Sequence, residues 1–446
     1  MIQRALPLLA IAALAVGLSL SIVELVPARA PAPVAPIASE PEVLPPPSEA
    51  ETDYTRALDA LNAQLAAAER GNERHPNQWM RIEQVVGLYV ARARLTGDHD
   101  DYLRAQDLLG QAFAIAPEGS GPLLTRAHLH FTLHRMNDVE PDLAQAERAV
   151  LVRPTARADI AGLRGDVALH TGRLEDAERL HREAEELDPH AGSAFRIAYD
   201  LWQTGRFAEA ERWLTLAETR VLGGGKDAAW MALQRGLLHL DRGQLDEALG
   251  HYRRADRLFG GWWLVEEHIA EIHALRGEHE EAERRYRDLI RRTESPEFMD
   301  ALAGVLEERG AEEEARTWRA RATEVYEHQL ETLPEASYGH ALGHFLEHGD
   351  AARALELARA NHAIRPGGEA TIGLAQALLR SGDTEAARER IEALLATPYR
   401  TAALHATASR IFDAAGDATR AAEQAELARA IDPGAMDELD WLVAAR

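Results

Sequence analysis

The sequence predicts an all-α protein, a long array of repeated helical hairpins, and three observations carry that prediction. The first is a period. Gly172, Gly205, Gly243, Gly277, Gly310, Gly349, Gly382 and Gly416 follow one another at spacings of 33, 38, 34, 33, 39, 33 and 34 residues. Two units carry insertions of four or five residues. A fixed internal period of about 20–50 residues is the signature of a solenoid.

The second observation is what surrounds each glycine. Five positions later there is always alanine: Ala177, Ala210, Ala248, Ala282, Ala315, Ala354, Ala387 and Ala421. Seven positions earlier stand Gly165, Ala198, Gly236, Ala270, Ala303, Leu342, Ala375 and Ser409, all small but one. Glycine can end a first helix in a left-handed conformation at little cost, because it has no Cβ. Small residues then fit where the two helices of a hairpin cross closely. Pro117, Pro154, Pro189, Pro366 and Pro433 fall between units, where a helix cannot continue.

The third observation is composition. Of 446 residues only 6% are aromatic, and Ala, Leu, Glu and Arg abound. These side chains lose little rotamer freedom in a helix. The formal net charge of -24 argues against nucleic acid and anionic lipid as partners of the body. The chain has no cysteine, which excludes disulfides, thiolate metal sites and thiol nucleophiles. It also fits export into an oxidising compartment.

The N-terminus is of another kind. Ala5 to Val23 is uncharged and almost wholly apolar, just long enough to span a bilayer as a helix. Residues 1–26 are therefore expected to be a transmembrane anchor or a signal segment, with a small-residue pattern at Ala28-Arg29-Ala30 that a peptidase could cut. Arg4 favours an orientation that sends the rest of the chain across the membrane. In a bacterium with two membranes the body would then face the periplasm, tethered to the inner membrane or released if the segment is cut. Residues 27–50 hold eight prolines and are expected to form an extended spacer. The solenoid is expected over 51–446.

A 34-residue helix–turn–helix with small residues at its eighth, twentieth and twenty-seventh positions and proline at its thirty-second resembles the tetratricopeptide repeat. The unit Ala158 to Pro189 carries Gly165, Gly172, Ala177, Ala184 and Pro189 in that pattern. The next matches run through Gly236, Gly243, Ala248, Tyr252 and Ala255, then Ala270, Gly277, Ala282 and Tyr286. Two weaker units, about 76–117 and 120–154, come first. The resemblance implies a right-handed superhelix of about ten units whose first helices line a concave groove. It further implies that Phe195, Tyr199, Trp202, Trp230, Glu267, Glu271, Asp300 and Glu307 point into that groove. Aromatics in such a site anchor a protein or peptide partner, and the carboxylates would select a basic or amino-terminal group. The competing reading packs the aromatics between hairpins and leaves the acids on a solvated face. A basic clamp that some members of the family use is absent, since Gly162, Asp166, Phe195 and Tyr199 stand at its positions.

Function is thus expected to be partner binding by a scaffold or assembly factor, without catalysis and without a cofactor. Two other readings compete: a solenoid that stacks on copies of itself, and a metal-binding protein built on His340, His344 and His348, which share one helix face. Gly223-Gly224-Gly225-Lys226 lacks the upstream glycine and the following Ser or Thr of a phosphate loop, and reads as an insertion between units.

Overall fold

The computed structural model describes residues 53–148, 153–221, 225–439 and 442. The expected membrane segment 1–26, the spacer 27–50 and Gly223 and Gly224 lie outside the described residues. No helix among the described residues is long and apolar enough to cross a membrane.

Twenty-one α-helices and one short 3-10 helix, Asp437–Leu439, make up the described chain. A leading helix α1 (Tyr54–Arg74) is followed by ten hairpins. These are α2 (Trp79–Thr96) with α3 (His99–Ile115), α4 (Leu123–Thr132) with α5 (Met136–Glu147), and α6 (Pro154–His170) with α7 (Leu174–Leu187). Then come α8 (Ala191–Gln203) with α9 (Phe207–Thr219), α10 (Lys226–Leu240) with α11 (Leu245–Leu258), and α12 (Trp263–Leu275) with α13 (His279–Thr293). The last four are α14 (Pro296–Glu308) with α15 (Glu312–Thr332), α16 (Pro334–Glu347) with α17 (Ala351–Ile364), α18 (Gly368–Arg380) with α19 (Thr384–Leu395), and α20 (Ala402–Ala414) with α21 (Ala418–Ile431). The expected solenoid of about ten helical hairpins is present, and the two weak early units are the hairpins α2–α3 and α4–α5.

Local sequence explains the helix ends. Asp53, Asp98, Asp350, Asp383, Thr401 and Asp417 each accept a hydrogen bond from a backbone N–H of the helix they precede. Pro154, Pro296 and Pro334 open α6, α14 and α16, where their missing N–H costs nothing. Seven of the eight periodic glycines lie in the left-handed region that ends a first helix. Gly349 does not: α16 ends instead through His348, whose N–H bonds the His344 carbonyl. The 39-residue spacing before Gly349 is taken up by α15, which runs to 21 residues.

The aligned alanines are buried at the hairpin crossings, none more than 7% exposed. Gly236 shows how tight a crossing is. A Cβ placed there would lie 2.3 Å from the Tyr252 ring. Gly236→Leu is expected to overpack the α10–α11 crossing and to cost about 1–3 kcal/mol, read from the midpoint of chemical unfolding.

The solenoid winds back upon itself. The turn between α6 and α7 lies against the segment before α18, so that a Cβ on Gly172 would sit 3.0 Å from the Pro366 carbonyl. One hairpin further along, the Arg400 N–H before α20 donates to the Gln203 carbonyl at the end of α8 (2.9 Å). Near the N-terminus the Trp263 indole N–H donates to the Leu95 carbonyl (2.9 Å), and the Tyr54 N–H donates to the Gly260 carbonyl (3.0 Å). Arg135 pairs with Glu335 at 3.5 Å. Tyr54 belongs to the leading helix α1, and each of the other contacts joins hairpins five or six apart in the array. Successive superhelical turns therefore touch along a seam.

Candidate functional site

Closure of the seam changes what the inner wall is. In α8, 12 of 13 residues are buried, against 3 of 13 in its partner α9. In α18 the count is 11 of 13, against 3 of 12 in α19. In both hairpins the first helix is far more enclosed than the second. Second helices keep a solvated outer face, rich in Arg–Glu pairs such as Arg284 with Glu281 (2.6 Å) and Arg287 with Glu314 (2.7 Å). Exposed pairs of this kind add little stability.

The aromatic residues expected in the groove do come together, as a buried run. Phe195 stacks near Tyr199 (6.1 Å between ring centres) and meets Trp230 edge-on at 4.5 Å. Tyr199 meets Trp202 at 5.5 Å, and the Trp202 indole N–H donates to Asp241 (2.9 Å). The four rings are 4–6% exposed and pack within the core.

Glu267, Glu271 and Asp300 are buried too, and so are neither a solvated face nor a free acidic patch. Each is matched to a histidine. The Asp300 carboxylate lies 3.0 Å from His344 Nδ1, whose Nε2 reaches the Thr323 hydroxyl at 2.8 Å. His268 Nδ1 lies 3.0 Å from Glu271 and 3.2 Å from Glu267. Burial pushes the Glu267 carboxyl up to about 8, against the pull of His268. Glu307 alone of the eight is exposed, on the outer end of α14, where it pairs with Arg319.

The same pairing recurs along the wall. His181 bridges two acids, with Nδ1 2.6 Å from Asp200 and Nε2 3.2 Å from Asp166. Asp166 also accepts from Arg196 at 2.9 and 3.0 Å. Burial pulls the His181 imidazolium down, but Asp200 and Asp166 outweigh it and raise its pKa to about 9. Glu297 faces His340 at 3.2 Å and accepts from the Ser295 hydroxyl at 2.5 Å. Burial pushes Glu297 up, and His340 and Ser295 more than reverse it, to about 2.

His340, His344 and His348 do not converge on one point. They turn to Glu297, Asp300 and Glu347 respectively. His344 and His348 are 6.2 Å apart between ring centres. Spacing on the helix put the three on one side, but His340 and His344 turn to carboxylates of α14 and His348 to Glu347 beside it in the chain.

A cleft opens on the seam, between the end of α8 and the start of α18. Leu169, His170, Tyr199, Gln203, Arg365 and Glu369 line it together with Gly367, Gly368, Ala370 and Tyr399. Arg365 Nε donates to Asn361 (2.7 Å), and Nη1 lies 3.4 Å from His134 Nε2. Burial lowers the guanidinium from its usual value and raises the Glu369 carboxyl. Burial, then the nearby Arg365 charge, hold His170 at about 4, so it is neutral at pH 7. The cleft thus offers one cation, one acid, two phenols and an amide, with Tyr199 of the buried aromatic run in its lining. The period could not reveal it, because its two sides come from hairpins six apart.

No protein-family model matches this chain, and no curated protein does. Among solved structures, 258 chains match. One belongs to the structure of Naa15/Naa10 bound to HypK-THB, with 16% identity over 85% of this chain and a TM-score of 0.29. The match covers 64% of that chain, less than two thirds of its length.

Proposed function

We propose that this chain is a protein-interaction scaffold that takes a segment of a protein partner at its inner wall, through the seam cleft. The observation that supports the reading is the position of Tyr199. It belongs to the inner aromatic run and also lines the cleft beside Arg365 and Glu369. An aromatic anchor next to a desolvated cation and acid is the arrangement of an interaction hot spot. No catalytic step is assigned to it. The apolar run Ala5 to Val23 and the prolines of 27–50 support a body held away from an inner membrane on its periplasmic side.

The test is affinity capture with crosslinking from membranes, comparing wild type with Tyr199→Ala combined with Glu369→Gln. Arg212→Ala on the outer face serves as control. Truncating a hot spot costs about 2 kcal/mol or more, so captured partner is expected to fall roughly 30-fold or more in the double variant and not in the control. Circular dichroism confirms that each variant is folded. Equal loss in the control moves the site to the outer face. Recovery of the chain itself, and nothing else, replaces this reading by self-assembly.

A further inference from the structure

We propose that Glu267, His268 and Glu271 on α12 form a binding site for a divalent cation of the zinc class, enclosed within the solenoid. Positions three and four apart on a helix are neighbours, which brings Glu271 beside both His268 and Glu267. One ligand atom from each of the three lies within 4.8 Å of the others. Two edges of that triangle, His268 Nδ1 to Glu271 Oε2 at 3.0 Å and to Glu267 Oε2 at 3.2 Å, suit a small tetrahedral ion. Bonds of about 2.0–2.1 Å at tetrahedral angles put neighbouring ligand atoms about 3.3 Å apart.

The rest of the inner wall acts as an internal comparison. Asp166 has Arg196 as donor, Glu297 has Ser295, and Asp300 has His344. Glu267 is 0% exposed, yet neither of its carboxylate oxygens has a hydrogen-bond partner. The hydroxyl of Tyr252, whose ring stacks on His268 at 5.1 Å, is likewise buried without a partner, as is His268 Nε2. Leaving a buried carboxylate without a donor is costly, and a cation removes that cost. Two carboxylates also balance the charge of a divalent ion, so the loaded site is neutral in a medium that penalises net charge. Two oxygens and one imidazole nitrogen make a donor set that zinc accepts, with a fourth position open to water. The site is independent of the partner-binding reading above.

The experiment uses the full chain, purified without a histidine tag, stripped with chelator and dialysed against zinc chloride. Metal content is measured by mass spectrometry, and cobalt(II) replaces zinc as an optical probe of geometry. Expected are one tightly held equivalent of zinc, a rise in Tm, and the visible absorption of tetrahedral cobalt. Glu267→Gln and His268→Gln are expected to weaken binding at least about tenfold while remaining helical, and His344→Gln to leave it unchanged. Absence of retained zinc, or binding that survives both Glu267→Gln and His268→Gln, overturns the proposal. The three residues are then a buried hydrogen-bonded group and nothing more.

Discussion

Asp166→Ala is expected to destabilise the protein by about 3–5 kcal/mol, among the largest losses open to a single side chain here. The reason lies in what stays behind. Asp166 receives two hydrogen bonds from Arg196 and faces Nε2 of His181, and all three side chains are buried. Its removal leaves a guanidinium and an imidazolium close together in a low dielectric, with Asp159 and Asp200 as the remaining acids nearby. Asp166→Ala combined with Arg196→Met removes the stranded cation as well, and is expected to recover part of the loss. Urea unfolding of the two variants against wild type measures both effects. If Asp166→Ala costs under 1 kcal/mol, water enters the wall and the seam is not closed.

The same cluster sets a pH dependence, and its sign follows from His181. Its pKa in the fold, about 9, lies above the ordinary histidine value of 6.5. The stabilisation it contributes is therefore complete below pH 6.5 and lost as pH rises through about 9. His170, held at about 4 in the fold, opposes the trend only near pH 6.5, where the unfolded chain still binds its proton, and adds no slope well above that value. Stability measured from pH 6.5 to 9.5 is expected to fall for wild type, with the histidine component absent in His181→Gln.

The second large effect belongs to the seam. Trp263→Ala is expected to cost about 3–5 kcal/mol, the usual range for deleting a large aromatic. Trp263 packs on Gly97 at the α2–α3 turn, leans on Phe298 at 5.9 Å, and donates its indole N–H to the Leu95 carbonyl. Trp263→Phe keeps a ring and loses the hydrogen bond, so about 1 kcal/mol is expected from that part alone. Hydrogen exchange locates the damage. Amides of α2 and α3, distant in sequence but across the seam, should lose protection in Trp263→Ala, while α20 and α21 should not. Uniform loss over the chain would mean that Trp263 supports only its own hairpin.

How far the sequence could be read follows from these residues. The hairpins were legible because each crossing demands a small residue at a fixed offset from a turn glycine, and Ala177 through Ala421 all meet that demand. The exception, Gly349, kept the spacing and not the conformation. The seam was not legible. Leu95 and Trp263 are 168 residues apart, and His134 and Arg365 are 231 apart, with no periodic signal linking them. Without the seam, Phe195, Tyr199, Trp202 and Trp230 belong to an open groove, and with it they are core. The burial of Glu267 and Asp300 was hidden because acids on a helical repeat ordinarily face water. One signal was present. His181, His268, His340 and His344 sit on or beside the first helices, near the acids that need them, and that recurrence marks a wall built from charge pairs.

A string of hairpins that touch only their neighbours can fray from either end and lose units one at a time. Contact between successive superhelical turns makes this chain more like a rolled sheet of bricks than a string of beads. A hairpin in the interior of the array has neighbours before and after it, and others one course above or below. Deleting one hairpin would move every later brick out of step with the course beneath it. The protein should therefore tolerate gain or loss of single units poorly, unfold in one cooperative step, and fold slowly for a helical repeat, since its closing contacts span much of the chain.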